Sequence, residues 1–142
     1  MQELQVNKEN CFSVLMAVYK KEQPLFFKEA LRSVFEQSLI PNEVVLVKDG
    51  PLTEELEQII VDFSSKNEQL KVITLEKNQG LGEALRIGLN ACSFDLVARM
   101  DSDDICKPYR FEKQIAFLKE HKEITIVGSW IEEFSDCKEE IE

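Results

Sequence analysis

The chain has 142 residues, 44% of them apolar and 31% charged, the make-up of one compact globular domain with its own core, which excludes a disordered polypeptide. With 17 basic against 27 acidic side chains the net charge is −10, which opposes any broad nucleic-acid surface and requires a metal ion or a local basic group beside any bound phosphate. No apolar run approaches the roughly 18 to 20 residues of a membrane helix, and Met1-Gln2-Glu3-Leu4 lacks the basic and apolar regions of a secretory signal, so a cytoplasmic protein is expected.

Residues 1–10 read as an N-terminal extension. Residues 13–18 form the first of five short apolar runs, continuous and largely β-branched, that predict strands buried on both faces. After Pro24, the residues Phe27, Leu31, Val34 and Phe35 fall on one helical face. The second run is 44–47. It is followed by Thr53 as an N-cap, Glu54 and Glu55 in a first turn, and an apolar stripe of Leu56, Ile59, Ile60 and Phe63. The third run, 72–75, precedes a stripe of Leu81, Leu85, Gly88, Leu89 and Cys92. The fourth, 96–100, precedes Pro108 as a first-turn proline and a stripe of Phe111, Ile115 and Leu118. The fifth run is 124–127, after which Glu132 to Glu142 turns acidic and loses its period. Strands alternating with helices need right-handed crossovers, so the expected fold class is α/β, Rossmann-like, with a mainly parallel sheet and helices on both faces. The cysteines at 11, 92, 106 and 137 show no Cys-x-x-Cys spacing and read as thiols rather than as a disulfide or zinc framework.

In an open parallel sheet the ligand site lies outside the carboxyl ends of the strands. Those ends deliver Tyr19 and Lys20, then Lys48-Asp49-Gly50, then Asn78-Gln79-Gly80, then Asp101-Ser102-Asp103-Asp104. Three carboxylates on one turn repel one another, and a divalent cation such as Mg²⁺ or Mn²⁺, bound through oxygen, relieves the repulsion. The competing reading is a helix cap ahead of Pro108. A calcium loop of the EF-hand type fails at Ile105 and Cys106, where an oxygen ligand and a turn glycine are required. Asp49 is either a turn residue accepting backbone hydrogen bonds or a ligand contact, and Tyr19 either a core-edge aromatic or a base-stacking one. Arg86 faces solvent or reaches a ligand from one turn into its helix. The only histidine, His121, sits in a charged stretch at a helix end, which gives no support to a Ser-His-Asp or Cys-His mechanism.

The order of these features resembles the family 2 glycosyltransferases, of the Asp-x-Asp type on a GT-A fold. The resemblance is carried by Val18-Tyr19, by Ser33-Val34-Phe35-Glu36-Gln37-Ser38, by a second strand ending in Asp49, by Asn78-Gln79-Gly80-Leu81-Gly82, and by Met100-Asp101-Ser102-Asp103-Asp104. It covers residues 11–130, taken as the donor-binding domain, and is similar to members that build bacterial capsule and exopolysaccharide. It implies that Tyr19 and Asp49 hold the base, usually uracil, with Arg86 assisting; that Asp101 faces the ribose; and that Asp103, with Asp104 beside it, faces a Mg²⁺ or Mn²⁺ ion and the diphosphate. The implied reaction is inverting, metal-dependent transfer of a sugar from a nucleotide-sugar donor, a UDP-sugar, to a glycan or lipid-linked acceptor. The implied enzyme is peripheral to the inner face of a membrane, and homo-oligomerisation is a further expectation. Inverting members take their catalytic carboxylate from the acceptor-binding half. Residues 131–142 read as an acidic tail or the start of that half, so the base is expected beyond Glu142. The alternatives are a haloacid-dehalogenase-type phosphatase, which also places Asp-x-Asp after a buried strand, and a non-catalytic nucleotide-binding module.

Overall fold

Residues 10–134 are described in the computed structural model of the chain; most of the expected extension and tail, and Cys137, lie outside the described residues. The elements alternate as β1 (Phe12–Val18), α1 (Pro24–Phe35), β2 (Glu43–Lys48), α2 (Glu54–Lys66), β3 (Leu70–Thr74), α3 (Leu81–Ala91), β4 (Leu96–Arg99) and α4 (Arg110–Glu120). The four strands make one parallel sheet in the order β3-β2-β1-β4. The chain therefore winds outward from β1 to β3, then crosses back to lay β4 on the other side of β1. That reversal opens a crevice at the carboxyl ends of β1 and β4, where ligands of such sheets bind.

Side chains alternate across the sheet, and the two central strands are buried on both faces, β1 throughout. On one face Phe12, Val14, Met16 and Val18 of β1, with Val44 and Leu46 of β2, pack under α1, α2 and α4 through Phe27, Leu31, Leu56, Ile60, Phe111 and Ile115. On the other, Leu15, Ala17, Val45 and Val47 meet α3 through Ala84. The first layer holds the fully buried phenylalanines Phe12, Phe27 and Phe111, each contributing about 1.5–3 kcal/mol by burial. Phe111 meets Phe12 edge-on at 5.2 Å between ring centres, which seats the start of α4 on the first strand.

Three expectations change. The stripe of the third helix is rotated: Leu81 and Leu89 are exposed, and Ala84 and Gly88 face the sheet. A Cβ on Gly88 would lie 2.4 Å from Leu15 Cδ1 and 2.7 Å from Val47 Cγ2, so it is the lack of a side chain at Gly88 that allows this close approach. Secondly, β3 and β4 are only partly buried, because among the described residues each is a sheet edge and α3 covers its face alone. Thirdly, 124–127 is not a strand. Its residues pair with no strand among the described residues, Ile126 is 87% exposed, and a β-prone run without a ladder partner has nothing to hold it as a strand. The segment that follows is tied back by an ion pair from Lys107 to Glu132.

Candidate functional site

Parallel register brings the expected residues to one edge. Val18 lies opposite Lys48 and Lys48 opposite Thr74, while Leu15 pairs with Arg99 and accepts from the Met100 amide at 3.0 Å. Tyr19, Asp49, Asn78 and Asp101 thus follow the carboxyl ends of adjacent strands. Tyr19 is 43% exposed at the tip of β1, with its ring available to a ligand.

Asp49 is 5% exposed. Its backbone N–H continues the ladder to Val18 O at 2.8 Å, and its carboxylate accepts from the amides of Gln79 (2.7 Å) and Gly80 (3.1 Å). Asn78 Nδ2 donates to Asp49 O at 3.3 Å. The two residues form a latch between the tip of β2 and the loop entering α3. A carboxylate suits that place, because the first amides of a helix lack partners and the helix dipole favours negative charge there. Gly50 completes the latch: its φ is +88°, and a Cβ would meet Asn78 N at 2.6 Å.

The acidic turn leaves β4 directly. Asp101 accepts from Arg99 Nη2 at 2.7 Å, Ser102 is buried and donates its hydroxyl to Glu22, and Asp103 and Asp104 are exposed. The carboxyl of Asp104 is pushed up from its ordinary value, first by desolvation at the turn and then by the charges of Asp101 and Asp103, against weaker relief from Arg110 and Arg99. Three of the nearby cations are already engaged. Lys48 Nζ pairs with Glu57 at 2.8 Å, Arg99 with Asp101, and Arg110 turns beneath the loop to Met100 Sδ (2.7 Å) and Arg99 O (3.1 Å). Hard carboxylate oxygens in mutual repulsion suit Mg²⁺ or Mn²⁺. Among the described residues no three His, Cys, Asp or Glu side chains converge on one point, so such an ion would be held by one or two carboxylates with phosphate oxygens completing the set.

Arg86 stands apart from this group. It is exposed and lies in a two-bond ion pair with Glu83 of its own helix, at 2.8 and 2.6 Å. The histidine is likewise remote, at the C-cap of α4, its ring tilted against Phe117 at 4.3 Å between centres. Of the thiols, Cys106 is buried and pushed up by that burial, while Cys92 lies at the end of α3. Sequence reasoning assigned nothing to Glu22, which joins the β1–α1 loop to the turn, or to Gln37 and Arg110, which support it. Ser33 near the end of α1 and Gln37 just beyond it, two polar residues four apart, were the legible signal for that support.

Residues 13–141 match the sequence model described as Glycosyl transferase family 2. The chain belongs to that family. It is 48% identical over 123 residues to an Escherichia coli protein named UDP-Gal:alpha-D-GlcNAc-diphosphoundecaprenol beta-1,3-galactosyltransferase, covering 87% of this chain and 44% of that one. It is 44% identical over 125 residues to the amylovoran biosynthesis glycosyltransferase AmsE of Erwinia amylovora, covering 88% and 47%. The chain therefore spans less than half the length of these relatives. Among solved structures, S. aureus TarS 1-349 in complex with UDP-GlcNAc superposes with a TM-score of 0.69 at 32% identity, covering 79% of this chain and 32% of that one. The family 2 chain thus has the α/β GT-A architecture expected of it, with the acidic turn on the fourth strand. Among the described residues no helix is long and apolar enough to cross a membrane.

Proposed function

We propose that this family 2 chain is the donor-binding part of a glycosyltransferase that moves a sugar from a UDP-sugar to a glycan or lipid-linked acceptor in bacterial polysaccharide assembly. The observation that carries the reading is the gathering of Tyr19, Asp49 and the acidic turn at the carboxyl edge of β1, β2 and β4, beside the sheet's reversal. Support for uridine comes from the likeness to a structure in complex with UDP-GlcNAc, and for a lipid-linked glycan from the E. coli relative's name.

In this reading Tyr19 stacks on the base and Asp49 offers it the acceptor lone pairs left over from the loop latch, since an ionised carboxylate has about four such positions. Asp101, oriented by Arg99, takes a ribose hydroxyl. Asp103 and Asp104 hold the divalent ion, Mg²⁺ or Mn²⁺, which when bound supplies positive charge to the departing diphosphate. Arg86 reaches the nucleotide only by leaving Glu83. Transfer with inversion needs a carboxylate to take the proton of the acceptor hydroxyl as the anomeric carbon is attacked from the far side. That base is proposed to lie beyond Glu142. Acceptor-dependent UDP release by the 142-residue chain itself would place it within these residues instead. A phosphatase of the haloacid-dehalogenase type is not favoured, because the family match is to glycosyltransferases.

The test is calorimetry with UDP in Mn²⁺ or Mg²⁺ and then in chelator, on wild type and Asp103→Asn. The substitution keeps size and capping capacity, so affinity should fall about tenfold or more through lost ligation, and chelator should do the same. UDP binding unmoved by both would make the turn a helix cap and end the metal-dependent reading.

A further inference from the structure

The acidic turn has no regular structure between Arg99 and Arg110, yet its backbone is held at its far end by one buried side chain. Gln37, just past the end of α1 and 5% exposed, donates through Nε2 to Lys107 O (2.8 Å), Cys106 O (3.2 Å) and Ser33 O (3.0 Å). Its Oε1 accepts from Phe111 N at 3.3 Å. That amide belongs to the first turn of α4, where helical N–H groups lack partners, and the N-cap residue Tyr109 provides no side-chain cap. One turn earlier on α1, Ser33 Oγ accepts from Cys106 N at 2.9 Å while donating to Ala30 O at 2.8 Å. Cys106 is thus fixed through both its N–H and its C=O, two residues from Asp104.

We propose that Gln37 is a positioning residue for donor binding: its amide, braced on α1 with Ser33, presets the acidic turn so that Asp101 faces the ribose of the nucleotide and Asp103 and Asp104 its diphosphate. Only a primary amide at this reach both donates to two carbonyls and accepts from a helix N–H. A buried carbonyl or amide left unpaired costs the turn its single arrangement, and pre-ordering of a binding loop is where such contacts contribute to affinity. The bracket acts on the one stretch of backbone between the carboxylates and α4, whereas the apolar core under α1 and α2 is complete without it. The inference rests on the donor-binding reading above.

The experiment measures the UDP dissociation constant, with Mn²⁺, of wild type, Gln37→Leu, Gln37→Glu and Ile60→Ala, well below each Tm. Ile60 is a core residue of α2, the crossover between β2 and β3 and so on the far side of the sheet from β4, and is the destabilised control. Gln37→Leu should weaken UDP about tenfold while Ile60→Ala, with an equal or larger loss of Tm, stays within about twofold. Gln37→Glu, isosteric but facing carbonyls with a carboxylate, should be weak at pH 8. Relative to wild type it should recover toward pH 6, as the introduced carboxyl gains a proton to donate. Should Gln37→Leu fail to fold, the pH dependence of Gln37→Glu decides. Wild-type affinity in the Gln37 variants, or an equal loss in Ile60→Ala, overturns the positioning role and leaves the donor site standing. Failure of wild type to bind UDP at all overturns both.

Discussion

Asp49 and Asp104 are both carboxylates at strand ends, and their surroundings divide their roles. Both oxygens of Asp49 are used by the amides of Gln79 and Gly80. Asp49→Ala should therefore lower stability by about 1–3 kcal/mol in chemical denaturation, the cost of leaving sheltered amides unpaired, and should also weaken UDP more than it weakens Mn²⁺. Unchanged UDP affinity would leave Asp49 a loop latch alone. Asp104 works in the opposite direction. Its carboxyl is raised in the folded chain, so the native state binds its proton more readily than the unfolded state does. The associated stability is present below the ordinary carboxylate range and is lost as pH rises through the raised folded value. Asp104→Asn should accordingly melt higher than wild type at pH 7 in the absence of divalent ions, with the difference vanishing in acid, and should bind UDP with Mn²⁺ less well. A lower Tm for this variant at pH 7 would mean that the turn depends on the charge for its fold.

At the scale of the elements, α3 is the only helix on its face of the sheet among the described residues, and its seat depends on small residues. Gly88→Ala would place a methyl 2.4 Å from Leu15 Cδ1 and 2.7 Å from Val47 Cγ2, in a layer that is already filled. It should destabilise by about 1–3 kcal/mol despite alanine's better helix propensity. Gly82 is in the same helix with nothing within 4 Å of a Cβ, so Gly82→Ala should stabilise by about 0.5–1 kcal/mol. Urea titration of the two variants checks both signs, and a loss in both would mean that α3 tolerates no added bulk along its length. The opposite face carries α1, α2 and α4 on an aromatic layer, with Phe35 stacked on Phe63 at 5.8 Å and Phe111 edge-on to Phe12. The acidic turn is therefore anchored to the more deeply buried side of the molecule.

For the whole molecule the governing quantity is the net charge of −10, set against a diphosphate ligand. Without divalent ions, UDP must approach an acidic protein whose neighbouring Lys48 and Arg99 are each paired with a carboxylate. Repulsion at that range is screened over about 8–10 Å at physiological salt. Metal-free affinity for UDP should therefore rise as monovalent salt is increased from low to physiological strength, while Mn²⁺-supported affinity should rise less or fall. Calorimetry across that salt series reads the two slopes. A metal-free affinity that falls with salt would reveal a basic contact overriding the overall charge.

Composition and periodicity by themselves determined the α/β class, the first four strand–helix alternations and the edge at which Tyr19, Asp49 and Asp101 meet, because buried strands and amphipathic helices write their periods directly into the chain. Thr53 as N-cap of α2, with its Oγ1 accepting from Leu56 N at 3.3 Å, was legible for the same local reason. Tertiary structure alone decided the rest. The rotation of α3 followed from the 2.4 Å clearance at Gly88, and the loss of a fifth strand at 124–127 from the lack of a ladder partner among the described residues. The bracket of Gln37 under the turn joins residues about 70 positions apart. Such contacts depend on distances between elements, and a sequence period records only which side of an element is buried, not what it meets there.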